Sequence, residues 1–134
     1  AEWDAVGVAQ GEAFWFLPQT ALAAVPWFGI APEGVPAATF EADQVEVVLV
    51  GTAMPADASF ASWSTGSFGA PSFLFATSAG IDSSKRIAAS HDHVNWGFSR
   101  AGTYWLTFVA RATRLSDGAP VVSPPATFRF EVAR

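Results

Sequence analysis

The chain contains two histidines, and they stand two positions apart, as His91-Asp92-His93. In a strand, residues i and i+2 point to the same face with their backbones roughly 6–7 Å apart. Two imidazoles at that spacing can converge on one metal ion. Imidazole suits zinc, copper and other transition ions better than magnesium or calcium, so zinc is the default expectation, with copper or manganese as alternatives. Two ligands do not complete a site. Asp82, Asp92, Asp4, Glu12, Gln19 and Glu33 are the candidates to supply a third or fourth, and the spacing does not choose among them. Asp92 could instead orient one of the imidazoles from behind. The same pair also fits two solvated histidines at the start of a strand.

Other chemistries find less support. There is no cysteine, which excludes disulfides, thiol catalysis and cysteine-type zinc sites. Ser90, His91 and Asp92 are adjacent in the chain, and adjacent side chains cannot form the nucleophile–base–orienter line of a hydrolase. Gly-x-Ser-x-Gly elbows and Gly-rich phosphate loops are absent. The carboxylates Asp4, Glu12, Glu41, Asp43 and Glu46 are scattered, with nothing to pair them for glycoside hydrolysis. The chain is therefore expected not to be an enzyme. A net charge of −5, with only 7 Lys and Arg among 134 residues, argues against nucleic acid and against an anionic membrane surface. No apolar run approaches the ~18 residues that span a bilayer, so no membrane insertion is expected. The opening Ala1-Glu2-Trp3-Asp4 is polar and acidic, unlike a signal peptide, although a processed domain would read the same way.

The elements that must position the histidines read as strands. Val94, Trp96 and Phe98 share the parity opposite to His91, His93 and Asn95. With Trp96 and Phe98 in a core, the histidines and Asn95 are expected to face away from it. Thr103 to Thr113 alternates most clearly, with Tyr104, Leu106, Phe108 and Ala110 on one face. Ala13 to Leu17, Val45 to Val50, Phe73 to Thr77 and Thr127 to Val132 are further strand candidates, separated by turn signals such as Ser116-Asp117-Gly118 and Glu33-Gly34-Val35-Pro36. Pro55 to Pro71, rich in Ser, Ala and Gly, reads as a loop region with short strands. Helix signals are nearly absent. Thr20 to Val25 is bracketed by Pro18 and Pro26, too closely for a stable helix. Ala101-Gly102-Thr103-Tyr104-Trp105-Leu106 resembles the tyrosine corner of immunoglobulin-like domains, with Leu106 at the position of their second core cysteine. The expected fold is one all-β domain over 1–134, an immunoglobulin-like antiparallel β-sandwich. Its core takes most of the aromatic residues, including Trp15, while Trp27 is expected to be partly exposed and Trp63 and Trp105 are candidates for the surface.

A family resemblance gathers these segments. Phe14-Trp15-Phe16-Leu17-Pro18-Gln19, Val25-Pro26-Trp27-Phe28-Gly29, Phe68-Gly69-Ala70-Pro71, Ser78-Ala79-Gly80-Ile81-Asp82, His91-Asp92-His93-Val94-Asn95-Trp96-Gly97-Phe98 and Gly102-Thr103-Tyr104 follow one another in the chain. Together they resemble the actinobacterial surface-anchored repeat domain, also called the choice-of-anchor M domain, over nearly the whole length. The most specific part is His-x-His-x-Asn-Trp-x-Phe followed by Gly-x-Tyr. The resemblance implies an extracellular, cell-wall-anchored or secreted protein associated with an ABC transporter whose substrate-binding protein is of the zinc or manganese type. It implies that His91 and His93 are metal ligands and that Gln19, in the Leu-Pro-Gln element, approaches the same site. The relay it suggests would pass a divalent metal to that transporter. The competing expectation is a module that binds a small non-metal ligand, a glycan or a protein through the loops around Trp27 and Trp63 together with the loop that bears His91 and His93, or a structural spacer.

Overall fold

A computed structural model describes residues 2–134. The chain is all-β. The described residues form eleven strands: β1 (Trp15–Leu17), β2 (Gly29–Ile30), β3 (Gln44–Ala53), β4 (Phe60–Thr65), β5 (Pro71–Ala76), β6 (Ser83–Ile87), β7 (Asp92–His93), β8 (Asn95–Phe98), β9 (Gly102–Thr113), β10 (Pro120–Val122) and β11 (Ala126–Val132). One sheet runs β1-β8-β4-β5. The other runs β9-β3-β6, with β10 and β11 both paired to the free side of β9. All pairings are antiparallel. The two sheets form a β-sandwich, and β2 and β7 make a separate two-stranded ladder. Among the described residues no helix is long and apolar enough to cross a membrane.

The alternation in β9 builds the core. Tyr104, Leu106 and Phe108 are buried and meet Phe60, Phe75, Trp96 and Phe98 of the facing sheet, together with Val94 just before β8. Phe75 and Phe108 cross edge-on with centroids 5.3 Å apart, as do Phe98 and Tyr104 at 4.8 Å. Offset and edge-to-face pairs of this kind add to the area term that drives the burial. The Tyr104 hydroxyl donates to the Arg100 carbonyl at 2.9 Å and accepts from the Arg100 amide at 3.1 Å, the local bond expected at a tyrosine corner.

One expectation is corrected: Trp63, a candidate for the surface, is 3% exposed. The 55–71 segment carries a short strand, β4, whose Phe60, Ala61, Ser62 and Trp63 are all buried. Asn95 lies on the face away from Trp96 and Phe98, yet it is 5% exposed. The N-terminal segment folds over the outer face of the β1-β8-β4-β5 sheet, so that face carries a second cluster of Val6, Ala61, Trp63 and Ala76, flanked by Phe14 and Phe73. Gly97 makes room for it: a Cβ there would lie 2.6 Å from Cζ3 of Trp63. A sheet covered on both faces has no polar side, so its parity cannot report which side is wet.

Candidate functional site

His93 lies on β7, directly opposite Gly29 of β2, and Asp92 lies opposite Ile30. Glycine is required at position 29 by close approach. A Cβ there would sit 2.8 Å from the Asp92 carbonyl oxygen and 3.1 Å from Nδ1 of His93. The ladder thereby holds the segment that carries Trp27 against the segment that carries both histidines.

The result is a stack of three rings. Trp27 lies over His93 with centroids 3.7 Å apart and planes 16° from parallel. His93 in turn faces His91 at 5.0 Å and 29°. Beyond His91, Glu33 of the 3-10 turn Pro32–Gly34 brings Oε1 to 2.9 Å from Nδ1. That His91–Glu33 pair is about half exposed. The Nδ1 atom of His93 is buried and has no hydrogen-bond partner. Both Nδ1 atoms are therefore turned to protein, and each ring retains one other nitrogen, Nε2.

Trp27 is itself held in place. Its indole N–H donates to the Gln19 carbonyl at 2.9 Å. The Gln19 amide donates to Oδ1 of Asn95 at 2.9 Å, and Nδ2 of Asn95 donates to Oε1 of Gln19 at 3.0 Å, to the Trp63 carbonyl at 3.2 Å and to Oγ1 of Thr65 at 3.1 Å. Oε1 of Gln19 also accepts the Thr65 amide at 2.8 Å. A chain of hydrogen bonds and one ring stack thus runs from the buried Asn95 to His93.

Of the four residues expected at the site, the structure brings His91 and His93 together and engages the other two elsewhere. The Gln19 side chain is occupied by Asn95 and Thr65. The Asp92 carboxylate lies 3.8 Å from Nε of Arg86. Arg86 is held below its ordinary pKa by burial, an effect that Asp92 opposes. Of the other candidates, Glu33 joins the histidines, whereas Glu12 accepts the Ala9 amide. Among the described residues, no three His, Asp or Glu side chains gather in a way that could hold an ion unaided. Sequence reasoning took Trp27 as a partly exposed aromatic in a candidate ligand-binding loop, without pairing it with His93, and Asn95 only as an outward polar residue. The signal that marked Trp27 was its place between Pro26 and Gly29. No family model matches this chain, and no curated protein or solved structure matches it.

Proposed function

We propose that this is a non-catalytic, extracytoplasmic binding domain of a cell-surface or secreted protein, of the surface-anchored repeat type with its immunoglobulin-like sandwich. It takes a divalent transition metal on Nε2 of His91 and His93. Zinc is the first choice, copper or manganese the alternatives, and the destination is an ABC transporter's substrate-binding protein. The carrying observation is the Glu33–His91–His93 arrangement. Metal-bound histidine nearly always gives its second ring nitrogen to a carboxylate, carbonyl or water, which fixes the tautomer and raises ligand basicity. Glu33 stands at Nδ1 of His91 in that role. To reach one ion at ~2.0–2.1 Å, the two imidazoles, with centres 5.0 Å apart and planes 29° from parallel, must rotate so that their Nε2 atoms converge.

His93 sets the limit on affinity. Metal on Nε2 leaves its proton on Nδ1, which is buried without an acceptor. A buried N–H left unmatched costs about 1–3 kcal/mol. The resulting moderate affinity suits a carrier that must let go of its ion. Thermal melts with zinc, copper and manganese test the proposal. A ligand at 100 times its Kd stabilises by about 2.7 kcal/mol, so the melting temperature should rise in the wild type and not in a His91→Ala, His93→Ala double variant. No shift with any of the three ions would sink it.

One observation favours a non-metal binding module instead. Trp27 is 52% exposed, and Leu22 and Val25 of the same segment are exposed with it. A ligand seated on that surface would bind equally well with the ions chelated away.

A further inference from the structure

We infer that the cavity beside the tyrosine corner is a binding site for a small hydroxylated carboxylate, a sugar acid in chemical class. It shares no residue with the Trp27–His93–His91 stack. Four of the six arginines are paired with a carboxylate: Arg86 with Asp92, Arg111 with Glu46, Arg114 with Asp117 and Arg129 with Glu131. Arg100 and Arg134 form no ion pair among the described residues, although the chain carries 12 Asp and Glu. Both line one cavity of about 440 Å³. Two unpaired cations on one concave surface attract an anion there, and the low-dielectric walls concentrate their field.

Arg100 is held ready for this. Its amide and carbonyl both bond to the Tyr104 hydroxyl, at 3.1 and 2.9 Å. Its Nε donates to the Asp57 carbonyl at 3.1 Å, and Asp57 keeps a left-handed backbone, φ 56°, in the loop before β4. The two terminal guanidinium nitrogens have no partner among the described residues, and their parallel N–H groups are the pair that grips a carboxylate. Beside Arg100, Oγ of Ser99 accepts the Ser59 amide at 2.7 Å, which leaves its own proton to donate. Trp15 adds an aromatic wall for the C–H face of a ring. The carboxylates of the cavity select among anions. Glu12, one oxygen of which accepts the Ala9 amide, and Asp57 both line it. They repel the more highly charged phosphate more strongly than a single carboxylate, and they accept the protons of hydroxyl groups. A ring that carries one carboxylate and several hydroxyls matches both halves of that lining.

The test is heteronuclear NMR of the intact chain titrated with sodium glucuronate at fixed ionic strength. Glucose, which has a hydroxymethyl group in place of the carboxylate, and inorganic phosphate are the comparisons. Glucuronate should move the Ser99 amide and the Arg100 side-chain N–H along a saturable curve. Glucose and phosphate should each bind at least about tenfold more weakly, since each lacks one half of the contacts. Arg100→Gln keeps the backbone bonds to Tyr104, and Arg134→Gln changes an exposed position. Each should weaken glucuronate about tenfold and leave glucose unchanged, with the amide spectrum showing that the variant is folded. No saturable shift with glucuronate at millimolar concentrations would overturn the site. Glucose binding as tightly as glucuronate would overturn the role of the carboxylate, and phosphate binding as tightly would overturn the hydroxylated class. Full affinity in both folded variants would overturn the role of the arginines.

Discussion

Gly29→Ala is the sharpest perturbation of the two-stranded ladder that assembles the ring stack. The added methyl would lie 2.8 Å from the Asp92 carbonyl oxygen, where the neighbour is backbone and cannot swing aside. Carbon–oxygen contacts across sheets run at ~3.3–3.6 Å, so β2 must retreat by about half an ångström or more. The ladder has only two residue pairs, Gly29 with His93 and Ile30 with Asp92. Losing its one or two hydrogen bonds, at about 0.5–1.5 kcal/mol each, costs about 0.5–3 kcal/mol. Gly29 does not need a left-handed backbone. Alanine therefore returns roughly 0.4–1 kcal/mol through the unfolded state. The net loss is about 1–2 kcal/mol, or a melting temperature lower by roughly 4–8 °C for a chain of this size. Gly34→Ala is the control, because a Cβ there meets nothing within 4 Å. Differential scanning calorimetry of the three proteins measures the effect. Should Gly29→Ala melt within a degree of Gly34→Ala, the close approach of β2 to β7 is wrong.

Asn95→Ala strips partners from the Gln19 amide, Oε1 of Gln19, the Trp63 carbonyl and Thr65, and urea unfolding should show a loss of about 2–4 kcal/mol. A loss below 1 kcal/mol would mean that water replaces the network freely. Glu33→Ala should weaken zinc binding about 10- to 100-fold by titration calorimetry, as removal of a residue that orients a metal-bound histidine does; unchanged affinity would refute its role. Asp117 is held below the usual carboxylate range by the Ala119 amide first and by Arg114 second. A depressed folded-state pKa stabilises above the unfolded pKa, and that contribution is lost as pH falls through the folded value. The wild type should therefore melt above Asp117→Asn at neutral pH, the gap closing in strong acid. A gap independent of pH would refute the assignment.

What the sequence made legible follows the physics of each element. β9 alternates because its outer face meets solvent and its inner face meets the core, and its limits were close to those observed, Gly102–Thr113. β4 was hidden because it is buried on both faces and is half made of small residues, Ala61, Ser62 and Ser64. The same double coverage buries Asn95 on its outward face and left Trp63 as a surface candidate. At the candidate site, the histidine pair was visible because its members are two positions apart. Glu33 stands 58 positions from His91 and was only one of six candidates. Trp27 reaches His93 only through the pairing of two-residue strands, too short to leave a periodic signal.

The outermost strand of the larger sheet has a colloidal consequence. β11 pairs with β9 alone, so one row of its amides and carbonyls is left open along seven residues, Phe128 and Phe130 among them. An aromatic strand with a free edge is a template for fibrillar growth. Here Arg129 and Glu131 interrupt the apolar run, ion-paired to each other, with the Arg129 guanidinium 5.5 Å over the Trp105 ring. Pro124 and Pro125, immediately before the strand, offer no amide to a newcomer. Each chain that added in parallel, in-register stacking would set arginine on arginine and glutamate on glutamate. Self-association through this edge is thereby disfavoured even where the protein is crowded.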